Sequence, residues 1–188
     1  MSWISAHWDW GIAGFILAAI ALVVAVMTLP TAFQMFWGAP KILFEFVEND
    51  LEEGIRQLQV YISNAPIRLR TLRKMGIIRT PVDIWADFSI YESGTNRLLK
   101  HLQRPILMTD KEKSLQVTLP HTISPAVFIP IIHDPKRAYV SPFDDEAKTY
   151  LSLGKYYIEM TVGTSAQQSY DVRKEFVIGE KAKNSFWL

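Results

Sequence analysis

Residues 151–178, LSLGKYYIEMTVGTSAQQSYDVRKEFVI, alternate with a period of two on either side of a short polar break. Tyr156, Ile158, Met160 and Val162 fall on one face of a strand, residues 163–168 read as a loop, and Tyr170, Val172, Lys174, Phe176 and Ile178 alternate on the return. An extended backbone sends successive side chains to opposite faces, so this pattern predicts an antiparallel hairpin.

The same period recurs upstream. Ile42, Phe44 and Phe46 alternate with Leu43, Glu45 and Val47, and residues 48–50 end that run. Leu58, Val60 and Ile62 form a second strand, stopped by Asn64, Ala65 and Pro66. After Pro81, the residues Val82, Ile84, Ala86, Phe88 and Ile90 share one face, and residues 92–96 supply a hairpin loop. Further strands are expected at 98–108, 115–119 and 127–132. Prolines at 105, 120, 125, 130 and 135 punctuate them and suggest edges or bulges. Many short strands with frequent turn chemistry and no strong amphipathic helix predict an antiparallel two-sheet sandwich over residues 41–180, with 181–188 as a tail.

Leu151, Gly154 and Tyr156 fit the L-x-x-G-x-Y pattern that precedes the penultimate strand of many immunoglobulin-like and fibronectin-III-like sandwiches. The chain resembles that superfold over these six residues and the hairpin after them. The resemblance implies a corner in which the tyrosine hydroxyl returns to the backbone. It implies no function. The disulfide of antibody domains is excluded, since the chain has no cysteine.

The other end is of a different kind. From Trp10 to Pro40 no residue is charged, and residues 11–29 read GIAGFILAAIALVVAVMTL. Such a stretch predicts a membrane helix over residues 11–37, preceded by a tail at 1–10. At about 1.5 Å per residue it would be roughly 40 Å long against a hydrocarbon slab of ~30 Å. Pro30 is the expected place for a bend, with the deep helix running to Leu29. Trp3, Trp8 and Trp10 at one end and Phe33, Phe36 and Trp37 at the other suit two interfacial belts. A cleaved signal peptide fits less well: no Lys or Arg precedes Gly11, and no A-x-A-like exit follows. Lys41 and Arg56 follow the span, so the positive-inside bias expects the β domain in the cytoplasm.

Gly11, Gly14, Ala18, Ala21, Ala25, Thr28 and Ala32 recur at spacings of three and four, placing small side chains along one helix stripe. Close backbone packing drives helix association in lipid, so the stripe suits a transmembrane partner, either a second copy or another membrane protein.

Composition narrows the chemistry. Twenty basic and 19 acidic residues give a net charge of +1, and nothing points to nucleic acid. Without cysteine there is no thiolate ligand or Cys nucleophile. His101, His121 and His133, with Asp134, are the candidate metal ligands, yet no two histidines have a ligand spacing; they read as ordinary loop or surface histidines. Asp144, Asp145 and Glu146 read as a solvated acidic turn rather than a calcium loop. No cofactor is expected, and no nucleophile motif occurs.

Residues 67–79, IRLRTLRKMGIIR, hold five basic residues in thirteen: Arg68, Arg70, Arg73, Lys74 and Arg79. A charge-protected strand edge or a solvated loop is the plainer reading. The functional one is contact with anionic headgroups or an acidic partner. Trp85, Tyr91 and Tyr157 lie on otherwise polar faces, where they would bind a ligand or pack under a second sheet. Together these features predict a non-enzymatic, single-pass membrane protein serving as an accessory or scaffolding subunit. The alternative is a tethered extracytoplasmic module that binds a glycan or a protein.

Overall fold

The computed structural model describes residues 3–51, 54–68, 70–74, 76–110, 113–120, 125–140 and 148–188, with the backbone alone at residues 3–13 and 30. Contacts divide the chain into two units, residues 1–39 with 67–79, and residues 40–66 with 80–188.

The larger unit is mainly β, and every strand pairing in it is antiparallel. One sheet contains β1 (Ile42–Asp50), β2 (Arg56–Asn64), β5 (Leu107–Met108), β6 (Lys113–Ser114), β8 (Ala126–His133), β9 (Ala138–Val140) and β10 (Thr149–Leu151). The second contains β3 (Val82–Glu92), β4 (Arg97–Gln103), β7 (Val117–Leu119), β11 (Gly154–Thr164), β12 (Ser169–Ile178) and β13 (Phe186–Trp187). The two pack face to face as a sandwich.

Alternation builds the core. In β3, Val82, Ile84, Ala86, Phe88 and Ile90 are buried while the residues between them are not. Ile158, Met160 and Val162 of β11 join that face, and Leu58, Val60, Ile62, Phe128 and Ile131 come from the first sheet. Phe88 meets Phe128 at 4.6 Å between ring centroids, tying the sheets together. Burying one such side chain stabilises the fold by roughly 1.5–3 kcal/mol.

The expected strand at 98–108 is instead two. Arg104 adopts φ 48°, its N–H donates to Asp87, and Pro105 follows, so the chain leaves β4 in one sheet and enters β5 in the other. Pro130 sits inside β8, opposite a register shift between Leu58 and Val60. That is a bulge, which spares the ladder the missing N–H. The stretch at 115–119 narrows to β7, with β6 just before it.

Residues 181–188 are not a loose tail. After a 3-10 turn at Ala182–Asn184, β13 pairs with β12, and the Trp187 ring packs edge-on to Phe46 and Phe176. The Trp187 N–H donates to Glu48, and its indole N–H to the Val47 carbonyl. Arg56 completes this closure, donating to both Asp50 oxygens at 2.6 and 2.8 Å, to Glu48, and to the Ser185 carbonyl. The Arg56 hydrogen bond holds the Asp50 carboxyl below its usual range, and Asp50 in turn raises Arg56.

In the smaller unit, α1 runs from Trp3 to Trp37 as one helix, starting before Gly11 and continuing through Pro30. A proline removes one donor and strains one turn, and the flanking apolar turns carry the helix past it. The stretch Gly14–Trp37 is long and apolar enough to cross a membrane, and among its described side chains none is buried inside the chain, with Phe33 and Gln34 partly covered. The segment 67–79 carries a short helix, α2 (Arg70–Lys74), and belongs to this unit rather than to the sandwich.

Candidate functional site: a basic segment latched to the helix end

α1 ends where Gly38 donates its N–H to the Gln34 carbonyl. The Gln34 side chain folds over this last turn, and any Cβ at position 38 would collide with it, so the close approach requires glycine. From there the Gln34 amide reaches residue 78. Its Nε2 donates to the Ile78 carbonyl at 2.8 Å, and its Oε1 accepts the Ile78 N–H at 3.3 Å. One side chain thereby pairs with both backbone groups of a residue 44 positions downstream.

Arg79 adds a second tie. Its guanidinium donates to the carbonyls of Trp37 (2.7 Å) and Ala39 (2.5 Å). The last carbonyls of a helix lack partners within it and carry partial negative charge, so a cation there satisfies both needs. Apolar packing makes the third. Ile67, Leu72 and Ile77 form a small buried cluster with Phe33 of α1 against it.

The five basic residues of the segment thus divide in two. Arg79 is half-buried at the helix end, whereas Arg68, Arg70, Arg73 and Lys74 are exposed. Among the described residues no carboxylate pairs with any of these four. Phe33, Gln34 and Gly38 carry the latch, and sequence reading assigned none of them to it. The only signal was the apolar Ile67, Leu72 and Ile77 threaded through the basic run.

The small-residue stripe lies along α1. Gly14, Ala18, Ala21, Ala25, Thr28 and Ala32 are exposed, as are Phe15, Leu22 and Met27 on other faces, while the Gly11 position is described by its backbone alone. The Thr28 hydroxyl donates back to the Val24 carbonyl, 2.9 Å, and lies 3.2 Å from that of Ala25, so its hydrogen bond is used within the helix.

At the corner, the Tyr156 hydroxyl donates to the Ser152 carbonyl at 2.8 Å, and its ring stacks on Phe176. Burial pushes the Tyr156 hydroxyl pKa up, keeping it a donor. Gly154 takes φ +156°, a conformation that side chains disfavour, and Leu151 is buried beside it.

The outward aromatics are occupied by the chain itself. Tyr91 and Tyr157 stack at 4.8 Å, Arg173 lies 3.7 Å over the Tyr157 ring, and Arg104 lies over Trp85. His101 and His133, the two described candidates, are not brought together. His101 meets Ser89 on the second sheet, whereas His133 is buried in the first with its Nδ1 2.6 Å from the Ser185 hydroxyl. Asp134 accepts the N–H groups of Lys136 and Arg137 and caps its own turn. His121, Asp144, Asp145 and Glu146 lie outside the described residues. Among those described, no group of three His, Asp or Glu side chains is placed to hold a metal ion.

No protein-family model matches the chain, and a comparison with characterised proteins finds none similar in sequence.

Proposed function

We propose that the protein is a single-pass, membrane-anchored accessory or scaffolding subunit that works by contact rather than by catalysis. The observation that carries this reading is the bare helix. Across Gly14–Trp37 every described side chain is exposed except Phe33 and Gln34, which are partly covered, and so much bare apolar surface would be costly in water; a bilayer or a partner helix removes that cost. The small-residue stripe supports a helix partner, and the sandwich offers a rigid body for further contacts. The Tyr156 corner supports an immunoglobulin-like reading of that sandwich.

Orientation follows from charge. Lys41 and Arg56 follow the span, and the latch attaches four more exposed cations to the same helix end. Positive charge near a helix end favours the cytoplasmic side, so the sandwich is assigned there.

Reporter fusions at each terminus of the full-length protein test the topology: a protected C-terminus with an accessible N-terminus agrees, and the reverse pattern refutes the cytoplasmic assignment. Mild-detergent isolation of the tagged chain tests the scaffold role. Recovery of a membrane protein in fixed proportion agrees, and a chain that always isolates alone as a monomer refutes it.

A further inference from the structure

We propose that Arg68, Arg70, Arg73 and Lys74 form a collar that binds the headgroups of anionic phospholipids around the C-terminal end of α1. The inference deepens the membrane-anchored reading and rests on it.

Charge alone does not carry it; placement does. The latch ties the segment to α1 at three points, Gln34 to Ile78, Arg79 to Trp37 and Ala39, and Phe33 into the Ile67, Leu72 and Ile77 cluster. All three lie within the last turns of the apolar stretch. Roughly 20 helical residues cross the hydrocarbon, so an apolar run of at least 24 is long enough for its final turn to emerge at headgroup depth. The side chains around the latch suit that depth. Phe36 is 83% exposed, Trp37 45% and Ile78 46%, aromatic and apolar surface of the kind that settles at the boundary between acyl chains and headgroups.

Four exposed cations held there face the phosphate layer. Residues 10–39 and 67–79 contain no Asp or Glu, and the smaller unit's one acidic residue, Asp9, belongs to the opposite end of α1 in the sequence. Arginine pairs with phosphate through a planar fork of donors, and three of the four are arginines. An acidic protein surface offers the same sign of charge but gives no reason for the cations to be fixed at headgroup depth beside exposed Phe36 and Ile78. Lipid is therefore the occupant that both features fit.

The test uses the full-length protein in vesicles of phosphatidylcholine and phosphatidylglycerol, mixed at about four to one so that anionic lipid is the minority. Alkaline carbonate first establishes that the chain is embedded, and mild detergent then extracts it for quantification of the lipids it retains. The retained ratio of phosphatidylglycerol to phosphatidylcholine should exceed the input ratio by about fivefold or more, the preference expected from one or more cations near a charged surface. The variant R68Q/R70Q/R73Q/K74Q should bring the ratio down to the input value. Neutralising Lys136, Lys155, Lys181 and Lys183 on the sandwich should leave it high. Gln34→Leu keeps all four charges but breaks the pairing with Ile78, and should lower the enrichment; an undiminished value overturns the fixed collar. Release by carbonate refutes the anchoring reading and this proposal with it. An embedded wild-type chain that retains both lipids in input proportion overturns the collar alone. So does an input ratio combined with loss of a co-purifying acidic protein from the quadruple variant, which assigns the cations to a protein partner.

Discussion

Tyr156 shows how much one polar atom contributes when its ring is buried and its hydroxyl has one place to go. The Ser152 carbonyl accepts that hydroxyl at 2.8 Å. Tyr156→Phe keeps the stacking on Phe176 and removes only the bond, so the sandwich should lose about 0.5–1.5 kcal/mol. Denaturant melts of the detergent-solubilised chain check this, and an unchanged midpoint refutes the corner's contribution. His133 makes a different prediction, about pH. Its ring is buried, and burial pushes its pKa below the usual histidine value, with Asp134 opposing weakly. The Ser185 hydroxyl accepts the Gly179 N–H and is free to donate to Nδ1, which favours the neutral ring. Because the folded pKa is the lower one, full stability is present above about pH 6.5, where the unfolded ring is also neutral. As pH falls below that value the unfolded chain takes up the proton first, and stability declines until pH passes below the folded pKa. Melts at a series of pH values should show this decline, and His133→Gln should flatten it whatever it does to stability at neutral pH. Asp50 and Asp134, whose pKa values are lowered, lose their contributions only further down, below about pH 3.9.

At the scale of elements, α1 carries the sharpest contrast. If the small-residue stripe faces another helix, Ala21→Leu should force the backbones apart and weaken association, whereas Ala19→Leu, off the stripe, should be tolerated. Both positions are exposed and the added atoms are the same, so only the helix face differs. A transmembrane association assay, or co-purification for a foreign partner, reads the difference; equal behaviour leaves the helix a simple anchor. Elements also explain what was legible in the sequence. β3, β11 and β12 were, because each is ten residues or more and a long strand with one buried face repeats its pattern enough times to be seen. β9, β10 and β13 were not: two or three residues hold no period, and their pairing depends on partners elsewhere. The run at 98–108 misled because hydrophobic residues continue across Arg104, where the chain changes sheets. The basic segment was visible as charge, but its latch was not. Gln34 and Ile78 are 44 residues apart, and no local pattern announces a side-chain amide that pairs with a distant backbone.

For the whole molecule, the two units make a statement about what the sandwich needs. Residues 67–79 interrupt it between β2 and β3, yet their apolar side chains cluster with Phe33 and not with the main core. The ends of the interruption are pinned within the sandwich unit itself. Asn64, only 1% exposed, donates to the Thr80 carbonyl at 2.9 Å and accepts the Lys41 N–H at 3.1 Å, while the Ala65 N–H donates to the Lys41 carbonyl. The chain therefore leaves and re-enters the sandwich at neighbouring points, and a short flexible loop can span them. Two consequences separate cleanly in a fragment of residues 40–188. With the segment present, Ile67, Leu72 and Ile77 lose Phe33 and become an apolar patch beside exposed cations, so the fragment should fold but associate. With residues 67–79 replaced by a short Gly-Ser linker, the patch is gone while the main core and the Asn64 bridge remain. That shortened fragment should be monomeric, β-rich by circular dichroism, and should melt in one cooperative step. If it fails to fold, the segment is part of the sandwich's own stability, and its grouping with the helix is incidental. If both fragments behave alike in sedimentation, the Phe33 contact covers nothing that water disfavours, and the latch rests on its hydrogen bonds to Gln34 and Arg79 alone.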